Sequence, residues 1–218
     1  MTISNLLALL SGVFWTVVYI DSIRIGIKDE SFAMPLWALG LNIAWELIYA
    51  ILGYLHDGLS LQTVINGIWF LFDIGLIYTY FKYGQKYFPK RFKPGWFYGW
   101  GVFVIVVTFV VQLAFLVEFG YGPSAAYSAY LQNLLMSVLY IQMLLRRNST
   151  EGQTLLIAVS KFFGSLAPTI SFGVIGYQSG EPNEFILIIG ILMAVFDVVY
   201  IGLLANMTMI FKKPAMGK

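Results

Sequence analysis

Long apolar runs alternate with short polar connectors along the whole chain. A helix that spans a bilayer needs about 20 mostly apolar residues, and seven runs come close to that length or exceed it. The connectors are rich in charged residues, Gly, Pro and Asn, which favour turns. The pattern therefore predicts an all-α, polytopic bundle of seven transmembrane helices. The predicted spans are 3–20, 34–55, 61–81, 100–117, 124–145, 154–177 and 184–211.

Composition agrees with this class, because 59% of the residues are hydrophobic and only 11% are charged. A soluble domain typically has about 25% charged residues. The longest connector has about 18 residues, which leaves no room for a soluble domain, so we expect one transmembrane domain over 1–218. The first run lacks a basic segment and a small-residue cleavage site, and we predict a retained helix rather than a signal peptide.

Basic residues are concentrated in alternate connectors. With seven spans, the connectors after spans one, three, five and seven lie on one side and hold 12 of the 13 basic residues. Short connectors rich in Lys and Arg remain in the cytosol. We therefore predict an outside N-terminus and a cytosolic C-terminus, in the cell membrane of a bacterium or the endoplasmic reticulum of a eukaryote. The residues are Arg24, Lys28, Lys82, Lys86, Lys90, Arg91, Lys93, Arg146, Arg147, Lys212, Lys213 and Lys218.

Three acidic residues interrupt the spans: Glu46 in span two, Asp73 in span three and Asp197 in span seven. An ionisable group within the membrane is costly and by default marks a functional site. Each acid lies about 11–13 residues from one end of its run. We therefore expect the three side chains at similar depth, near one another inside the bundle.

Helical spacing predicts which side chains accompany each acid. Residues three, four or seven positions apart share a helix face, and this criterion predicts a central cavity with carboxyl, amide and aromatic groups. The accompanying residues are Asn42, Trp45 and Tyr49 on span two, Asn66 and Trp69 (or Phe70) on span three, and Tyr200 on span seven with Phe196 alongside; Gln112 on span four and Tyr130, Asn133, Ser137 and Tyr140 on span five are further polar candidates.

Span six carries Lys161, Ser165 and Thr169 in one stack, with Pro168 between the last two. Gly164, Ser165 and Pro168 favour tight packing and a kink over a ligand site. Lys161 is expected to snorkel towards the cytosolic interface. Amides and hydroxyls within spans often only bond a neighbouring helix, so a purely structural role stays open for each of them.

A carboxyl group in an apolar cavity is suited to acid catalysis. Burial disfavours the charged form, so the group stays protonated at neutral pH and can donate its proton. Aromatic faces attract a cation without acting as bases. This combination suits protonation of an alkene or epoxide, followed by carbocation cyclisation of a membrane-soluble substrate. The same cavity would also suit a proton-coupled transporter or a protein that binds a lipophilic ligand.

Two short motifs, "WELIY" at 45–49 and "FDVVY" at 196–200, narrow this choice. Together with seven short-looped spans they resemble the integral-membrane terpene cyclases of fungal meroterpenoid and indole-diterpene pathways and their bacterial relatives. The resemblance covers essentially the whole chain. It implies a proton-initiated, isomerase- or lyase-type cyclisation of a linear prenyl chain, without a metal or cofactor.

The resemblance also implies roles for individual residues. The family's essential acids lie in the second and seventh helices, and the motifs place them at Glu46 and Asp197, the candidate proton donors. The other candidates are Trp45, Tyr49, Trp69 and Tyr200 for cation stabilisation, Asp73 and Asn133 for orienting the acids or for the final deprotonation, and Asn42 and Phe196 for further substrate contacts.

Missing residue types exclude other classes. The chain has no Cys and a single His, His56, which excludes thiolate catalysis and a His-rich metal site. The DDxxD and DxDD motifs of soluble cyclases are absent, and 184–211 contains no Lys for a retinal Schiff base. We expect a lipophilic prenylated substrate and the bilayer as partners, no nucleic acid, and a monomer.

Overall fold

The computed structural model describes residues 3–176 and 180–212, the side chains of 211 and 212 excepted. In this part of the chain, seven helices are long and apolar enough to cross a membrane, which confirms the predicted all-α class and the number of spans. Tyr177, Lys213 and Lys218, used in the predictions above, lie outside the described residues. The helices are α1 (Ile3–Lys28), α2 (Leu36–Asp57), α3 (Leu61–Tyr83), α4 (Pro94–Phe119), α5 (Tyr121–Arg147), α6 (Leu155–Pro168) and α7 (Glu184–Lys212).

Helices α1 and α4 are longer than the apolar runs that predicted them. In α1 the additional turns include Asp21, whose carboxylate accepts a hydrogen bond from Arg24 Nε at 2.7 Å and another from the Thr154 hydroxyl. Because these partners satisfy the carboxylate, the helix continues through it. Helix α4 begins at Pro94, where the fixed φ of proline favours the first helical turn and its missing N–H costs nothing.

Helix α6 ends at Pro168 and continues as a π-helical segment, Thr169–Ile175. Proline removes a backbone hydrogen bond and crowds the preceding turn, so the change in winding follows from the sequence. One turn earlier, Gly164 packs against α1. A Cβ added there would lie 3.0 Å from the Trp15 ring, and the Gly164 carbonyl accepts a hydrogen bond from Ser11 at 2.8 Å. The tight packing predicted for this part of span six is therefore present.

The helices form a ring in the order α1, α3, α2, α4, α5, α7, α6, and α2 also packs against α5 across it. Polar side chains face inward: Asp73, Gln112 and Asp197 are at most 1% exposed. Large apolar side chains face outward, among them Val117 at 86% exposure. This arrangement suits a lipid solvent, in which polar groups must find partners inside the bundle.

The connectors meet at two opposite ends of the bundle. The Arg147 guanidinium lies 4.2 Å from the Phe32 ring centre and 4.1 Å from that of Tyr87. The α1–α2, α3–α4 and α5–α6 connectors therefore meet, and we call this the basic end (residues 29–35, 84–93 and 146–154). At the other end, His56 stacks on Tyr121 with ring centres 4.6 Å apart. The side of the membrane that each end faces stays a prediction.

Candidate functional site

Glu46 of α2 and Asp73 of α3 are buried inside the bundle, with exposures of 3% and 0%. The two carboxyl groups are close enough for a charge on Asp73 to act on Glu46. Glu46 Oε2 and Asp73 Oδ1 have no hydrogen-bond partner among the described residues. No Lys or Arg in the described ranges forms an ion pair with either carboxyl. Because an unpaired buried charge is very costly, this environment favours carboxyl groups that hold a proton.

Asn42 links these acids to α1. Its Nδ2 donates to Asp73 Oδ2 at 3.0 Å and also to the Tyr19 hydroxyl. Tyr19 is 1% exposed and lies within electrostatic reach of both Asp73 and Glu46. One phenol, one amide and two carboxyl groups from three helices thus form a single polar cluster. We call it the acid centre: Tyr19, Asn42, Glu46 and Asp73.

A chain of side-chain amides crosses the bundle and holds Asn42 in place. Gln112 of α4 donates to Gln132 of α5 at 2.6 Å, and Gln132 donates to Asn42 Oδ1 at 3.5 Å. Gln112 also donates to the Leu41 carbonyl at 3.3 Å. Because the Asn42 Oδ1 accepts from Gln132, the two N–H groups of the Asn42 amide point towards the Tyr19 phenol and the Asp73 carboxyl.

Aromatic rings form a wall beside the acid centre. The Tyr19 ring centre lies 5.8 Å from that of Trp69 and 5.7 Å from that of Phe72. The Trp69 indole donates to Thr16 at 3.2 Å, which fixes the ring orientation. Trp69, predicted from its spacing to Asp73, therefore lies next to the acids. We call Tyr19, Trp69 and Phe72 the aromatic wall.

Trp45 and Tyr49 bond the start of α5, although they share the predicted face of span two with Asn42 and Glu46 of the acid centre. The Trp45 indole donates to the Ala125 carbonyl at 3.0 Å, and the Tyr49 hydroxyl donates to Ser124 at 2.7 Å. Both acceptors lie in the first turns of α5. The two rings therefore anchor α2 to α5, and their predicted role in stabilising a cation stays a prediction.

Asp197 forms a second polar centre with Lys161. Lys161 Nζ lies 2.8 Å from Asp197 Oδ1 and 3.0 Å from Oδ2, and it donates to Ser137 Oγ at 2.7 Å. The Lys161 and Asp197 side chains are 1% and 2% exposed. The expectation that Lys161 snorkels to the interface is wrong, because α6 places it against α7, where Asp197 and Ser137 satisfy it. We call Ser137, Lys161 and Asp197 the ion-pair centre.

Asn133 lies beside the ion-pair centre rather than the acid centre. The backbone carbonyl of Asn133 accepts a hydrogen bond from the Ser137 hydroxyl at 3.0 Å, and its side-chain Nδ2 donates to the Ser165 hydroxyl at 3.3 Å. The Asn133 Oδ1 is buried without a partner among the described residues. Asn133 can therefore accept a hydrogen bond next to Asp197, while its contact with Ser165 joins α5 to α6.

Tyr140 lies between the two centres. It is fully buried, and it lies within electrostatic reach of both Asp73 and Asp197. Its ring packs on that of Tyr200 at 5.3 Å, and Tyr200 donates to Gln153 at 3.0 Å. The half-buried Phe196 precedes Asp197 in the chain. The three acids thus occupy two centres rather than the single cluster expected from the sequence.

Tyr19 and Gln132 were not identified from the sequence. Tyr19 lies at the end of the predicted span 3–20, where an aromatic residue is expected at the interface. Since α1 continues for nine more residues to Lys28, or about 13 Å, Tyr19 lies inside the bundle. The sequence feature that could have identified Tyr19 is its spacing of four residues from Trp15, which places an indole and a phenol on one face of α1.

The sequence matches known proteins along most of its length. The profile of the Pyr4-like transmembrane terpene cyclases matches residues 1–208. The Pyr4-family terpene cyclase mfmH of Annulohypoxylon moriforme is 32% identical over 76% of this chain and 68% of its own length. Terpene cyclase dpmpB of Macrophomina phaseolina is 34% identical over 72% of this chain and 65% of its own length.

Terpene cyclase dpfgB of Gibberella zeae is 32% identical over 75% of this chain and 67% of its own length. The aligned regions thus span about two thirds of the length of each of these relatives. No solved structure matches the chain.

Proposed function

Because the chain belongs to the Pyr4-like transmembrane terpene cyclases, we propose that it protonates an epoxide or alkene of a linear prenylated substrate and guides the resulting carbocation to a cyclic product. The observation that supports this proposal best is the acid centre, in which two buried carboxyl groups lack a cationic partner within the described residues. A carboxyl group kept neutral by its surroundings is the form that donates a proton.

Glu46 is the proposed proton donor. Its Oε2 has no hydrogen-bond partner among the described residues, so it is free to bond a substrate oxygen or approach a double bond. Asp73 shares the site, and its Oδ2 is held by Asn42. Two adjacent carboxyl groups titrate as a coupled pair. The negative charge left on Glu46 after donation is therefore accommodated while Asp73 remains protonated.

Asp197 has a different proposed role, although the family resemblance names it as a second candidate donor. Lys161 contacts both of its oxygens, and a neighbouring cation stabilises the carboxylate form. A carboxylate is a poor proton donor. It can stabilise the positive charge of the cyclising chain and accept the proton released at the end, and Asn133 can orient a group beside it.

The reaction balances without a metal or redox cofactor. Proton transfer to the epoxide oxygen or to an alkene carbon creates a cation, neighbouring double bonds attack it to form rings, and loss of a proton gives the product. The aromatic wall attracts this cation through the ring faces, and Tyr200 with Tyr140 provides further faces near Asp197. The net change is an isomerisation.

The substrate would enter from the bilayer as a lipophilic terpenoid chain. The hydrogen bonds and the ion pair that build the two centres are made within one copy of the chain, so neither centre needs a residue from a second copy, and we propose that the protein acts as a monomer. The proposed location is the cell membrane in a bacterium or the endoplasmic reticulum in a eukaryote, with the basic end in the cytosol.

The test is the Glu46→Gln variant, purified in detergent and given prenylated aromatic substrates with a terminal epoxide or alkene. Loss of a general acid typically lowers the rate by 10²- to 10⁴-fold, and we expect a loss of this order in cyclic product measured by mass spectrometry and NMR. Glu118→Gln, at an exposed position of α4, is the control and should retain wild-type activity.

Two results would contradict the proposal. Normal turnover by Glu46→Gln would show that this carboxyl is not the proton donor. Transport of the substrate across the membrane of proteoliposomes by the wild-type protein, with the NMR spectrum of the substrate unchanged, would instead support a transporter.

A further inference from the structure

The proposed reaction moves a proton from one centre of the bundle to the other in each cycle. Glu46 of the acid centre gives a proton to the substrate, and Asp197 of the ion-pair centre accepts the proton that the cyclised cation releases. Both side chains are buried, with exposures of 3% and 1%. A second turnover therefore requires that a proton reach Glu46 again, either from Asp197 through the interior or from the solvent.

Tyr140 of α5 lies between the two centres. Its ring packs on that of Tyr200 at 5.3 Å, and Tyr200 follows Asp197 by three residues on the same face of α7. Tyr140 also belongs to the same buried cluster as Tyr19 of the acid centre. It is close enough to Asp73 and to Asp197 for a charge on either one to act on its hydroxyl. Tyr140 is therefore placed to exchange protons with both centres.

The Tyr140 hydroxyl makes no hydrogen bond of normal geometry to any residue that the structure describes, although the side chain is fully buried. The same holds for the Ser22 hydroxyl of α1 beside it and for Asp73 Oδ1. A buried polar atom without a partner typically costs about 1–3 kcal/mol, and a phenylalanine ring would fill the same space without that cost. Packing therefore does not account for the phenol, and such a group calls for another explanation.

We propose that the Tyr140 hydroxyl relays a proton from Asp197 to Asp73 and thereby restores the proton of Glu46 for the next turnover. This inference rests on the proposed function, because it concerns the return step of the same reaction. The environments of the acids set the direction of transfer. Lys161 contacts Asp197 and stabilises its carboxylate form, whereas no cation in the described ranges pairs with Glu46.

The protons balance in this relay. After cyclisation Glu46 is a carboxylate and Asp197 carries the additional proton. Asp73 gives its proton to Glu46, and Asp73 Oδ1 then accepts the phenolic proton of Tyr140. The phenolic oxygen accepts the proton of Asp197, directly or through a bridging water. One O–H bond forms for each that breaks, so that Glu46 and Asp73 are again neutral and Asp197 is again charged.

The test is Tyr140→Phe, which keeps the ring and its contact with Tyr200 but removes the hydroxyl. The purified full chain in detergent is given a prenylated aromatic substrate with a terminal epoxide or alkene, and product is followed by rapid quenching and mass spectrometry. With enzyme in excess, each molecule reacts once, and the variant should match the wild-type rate because Glu46 starts with its proton.

With substrate in excess, Tyr140→Phe should form one product molecule per enzyme molecule and then slow down. The later turnovers should be slower than in wild type by about tenfold or more, because loss of a proton-transfer group typically costs about 10²- to 10⁴-fold in the step it serves. The unfolding temperature should equal or exceed that of wild type, since the hydroxyl has no hydrogen bond to lose within the described chain.

Tyr127→Phe is the matched control, because it makes the same change on the same helix. Tyr127 packs against Phe119 and Phe185, and it precedes Tyr140 by thirteen residues, or about 20 Å along the axis. This variant should behave as wild type in the first turnover and in all later ones.

Equal multiple-turnover rates of Tyr140→Phe and wild type would overturn the inference. An equal loss of rate in the first and later turnovers would also overturn it, because the hydroxyl would then act in the chemical step or in packing. A lower unfolding temperature would show that the hydroxyl has a structural role and would have the same consequence. Failure of Glu46 as the proton donor appears in the first turnover of Glu46→Gln, whereas failure of the relay appears only in the later turnovers of Tyr140→Phe.

Discussion

At the scale of single residues, Glu46 and Asp197 differ in their neighbours more than in their chemistry. Both are buried carboxyl groups in the middle of a helix, with exposures of 3% and 1%. Lys161 contacts Asp197, whereas no cation within the described ranges pairs with Glu46. One side chain is therefore suited to remaining charged and the other to holding a proton. Substitutions at the two positions should have different effects.

Asp197→Asn should destabilise the protein, because it leaves the Lys161 ammonium buried without its counter-ion. Removing one partner of a buried pair typically costs about 3–5 kcal/mol. The double variant Asp197→Asn/Lys161→Met should recover most of this stability, because it removes both charges, but not the activity. Thermal unfolding in detergent measures the first effect and product formation the second.

Glu46→Gln is the control for that comparison, since it leaves no cation unpaired and should unfold near the wild-type temperature. An unchanged unfolding temperature for Asp197→Asn would contradict a structural role for the ion pair.

Tyr19→Phe should lower turnover while leaving the fold intact. The substitution keeps the ring of the aromatic wall but removes the hydroxyl that Asn42 contacts, so Asn42 and the Asp73 carboxyl lose a fixed neighbour. We expect kcat to fall by about tenfold, which is the typical effect of losing one hydrogen bond, with little change in KM. Tyr54→Phe, at a site that is 57% exposed, should have no effect; equal kcat values for both variants would show that the Tyr19 hydroxyl plays no part.

At the scale of helices, the π-helical segment that follows α6 packs tightly against a glycine of α7. A Cβ added at Gly190 of α7 would lie 2.1 Å from Thr169 Cγ2 and 2.4 Å from its Oγ1. Thr169 is the first residue of the π-helical segment that follows Pro168. The change in winding after the proline and the glycine on α7 therefore together bring the two segments into contact, about two helical turns from Lys161 and Asp197 of the ion-pair centre.

Gly190→Ala should destabilise the bundle by about 1–3 kcal/mol, the usual cost of overpacking a filled contact. Gly190→Ala/Thr169→Ala should recover part of the loss, because it removes the two nearest atoms. Gly202→Ala on the same helix is the control: its Cβ would meet nothing within 4 Å, so it should be neutral or slightly stabilising. Chemical unfolding of the four proteins gives the comparison, and similar stabilities for the Gly190 and Gly202 variants would contradict the packing argument.

At the scale of the whole molecule, the bundle has an asymmetric distribution of charge along its axis. Three connectors meet at the basic end, where Tyr87 and Lys86 donate to Glu151 at 2.6 and 2.9 Å. Burial alone would raise the pKa of Glu151, but these hydrogen bonds and the nearby cations outweigh it and lower the pKa. Glu151 thus remains charged at neutral pH and joins two of the connectors.

The orientation in the membrane can be tested with single cysteines, because the chain contains none. Ser149→Cys lies at the basic end, and Leu59→Cys lies in the α2–α3 connector at the opposite end, where the side chain is 81% exposed. With the protein expressed in a bacterial host, the positive-inside rule predicts that a membrane-impermeant maleimide labels Leu59→Cys in intact cells and labels Ser149→Cys only after the membrane is opened. The reverse pattern would show that the basic end faces outward.

The sequence by itself determined the class, the number of helices and three of the four acids that are buried in the described part of the chain; it missed Asp21, which follows the predicted first span. These properties depend on local features: a run of about 20 apolar residues is long enough to cross a bilayer, and an acid within such a run can be recognised from the sequence. The "WELIY" and "FDVVY" motifs further indicated the family. Spacing also placed Trp69 next to Asp73, because neighbours on one helix face are set by the helical repeat.

Only the tertiary structure decided which polar groups pair. The sequence contains Lys161 and Asp197 in different spans, with no sign that one neutralises the other. Tyr19 belongs to the acid centre because α1 continues beyond the apolar run that predicted it. Trp45 contacts α5 because the Ala125 carbonyl accepts a hydrogen bond from its indole N–H. Hydrophobic periodicity depends on each helix alone, whereas hydrogen bonds and ion pairs between helices depend on how far each is rotated and shifted against its neighbours.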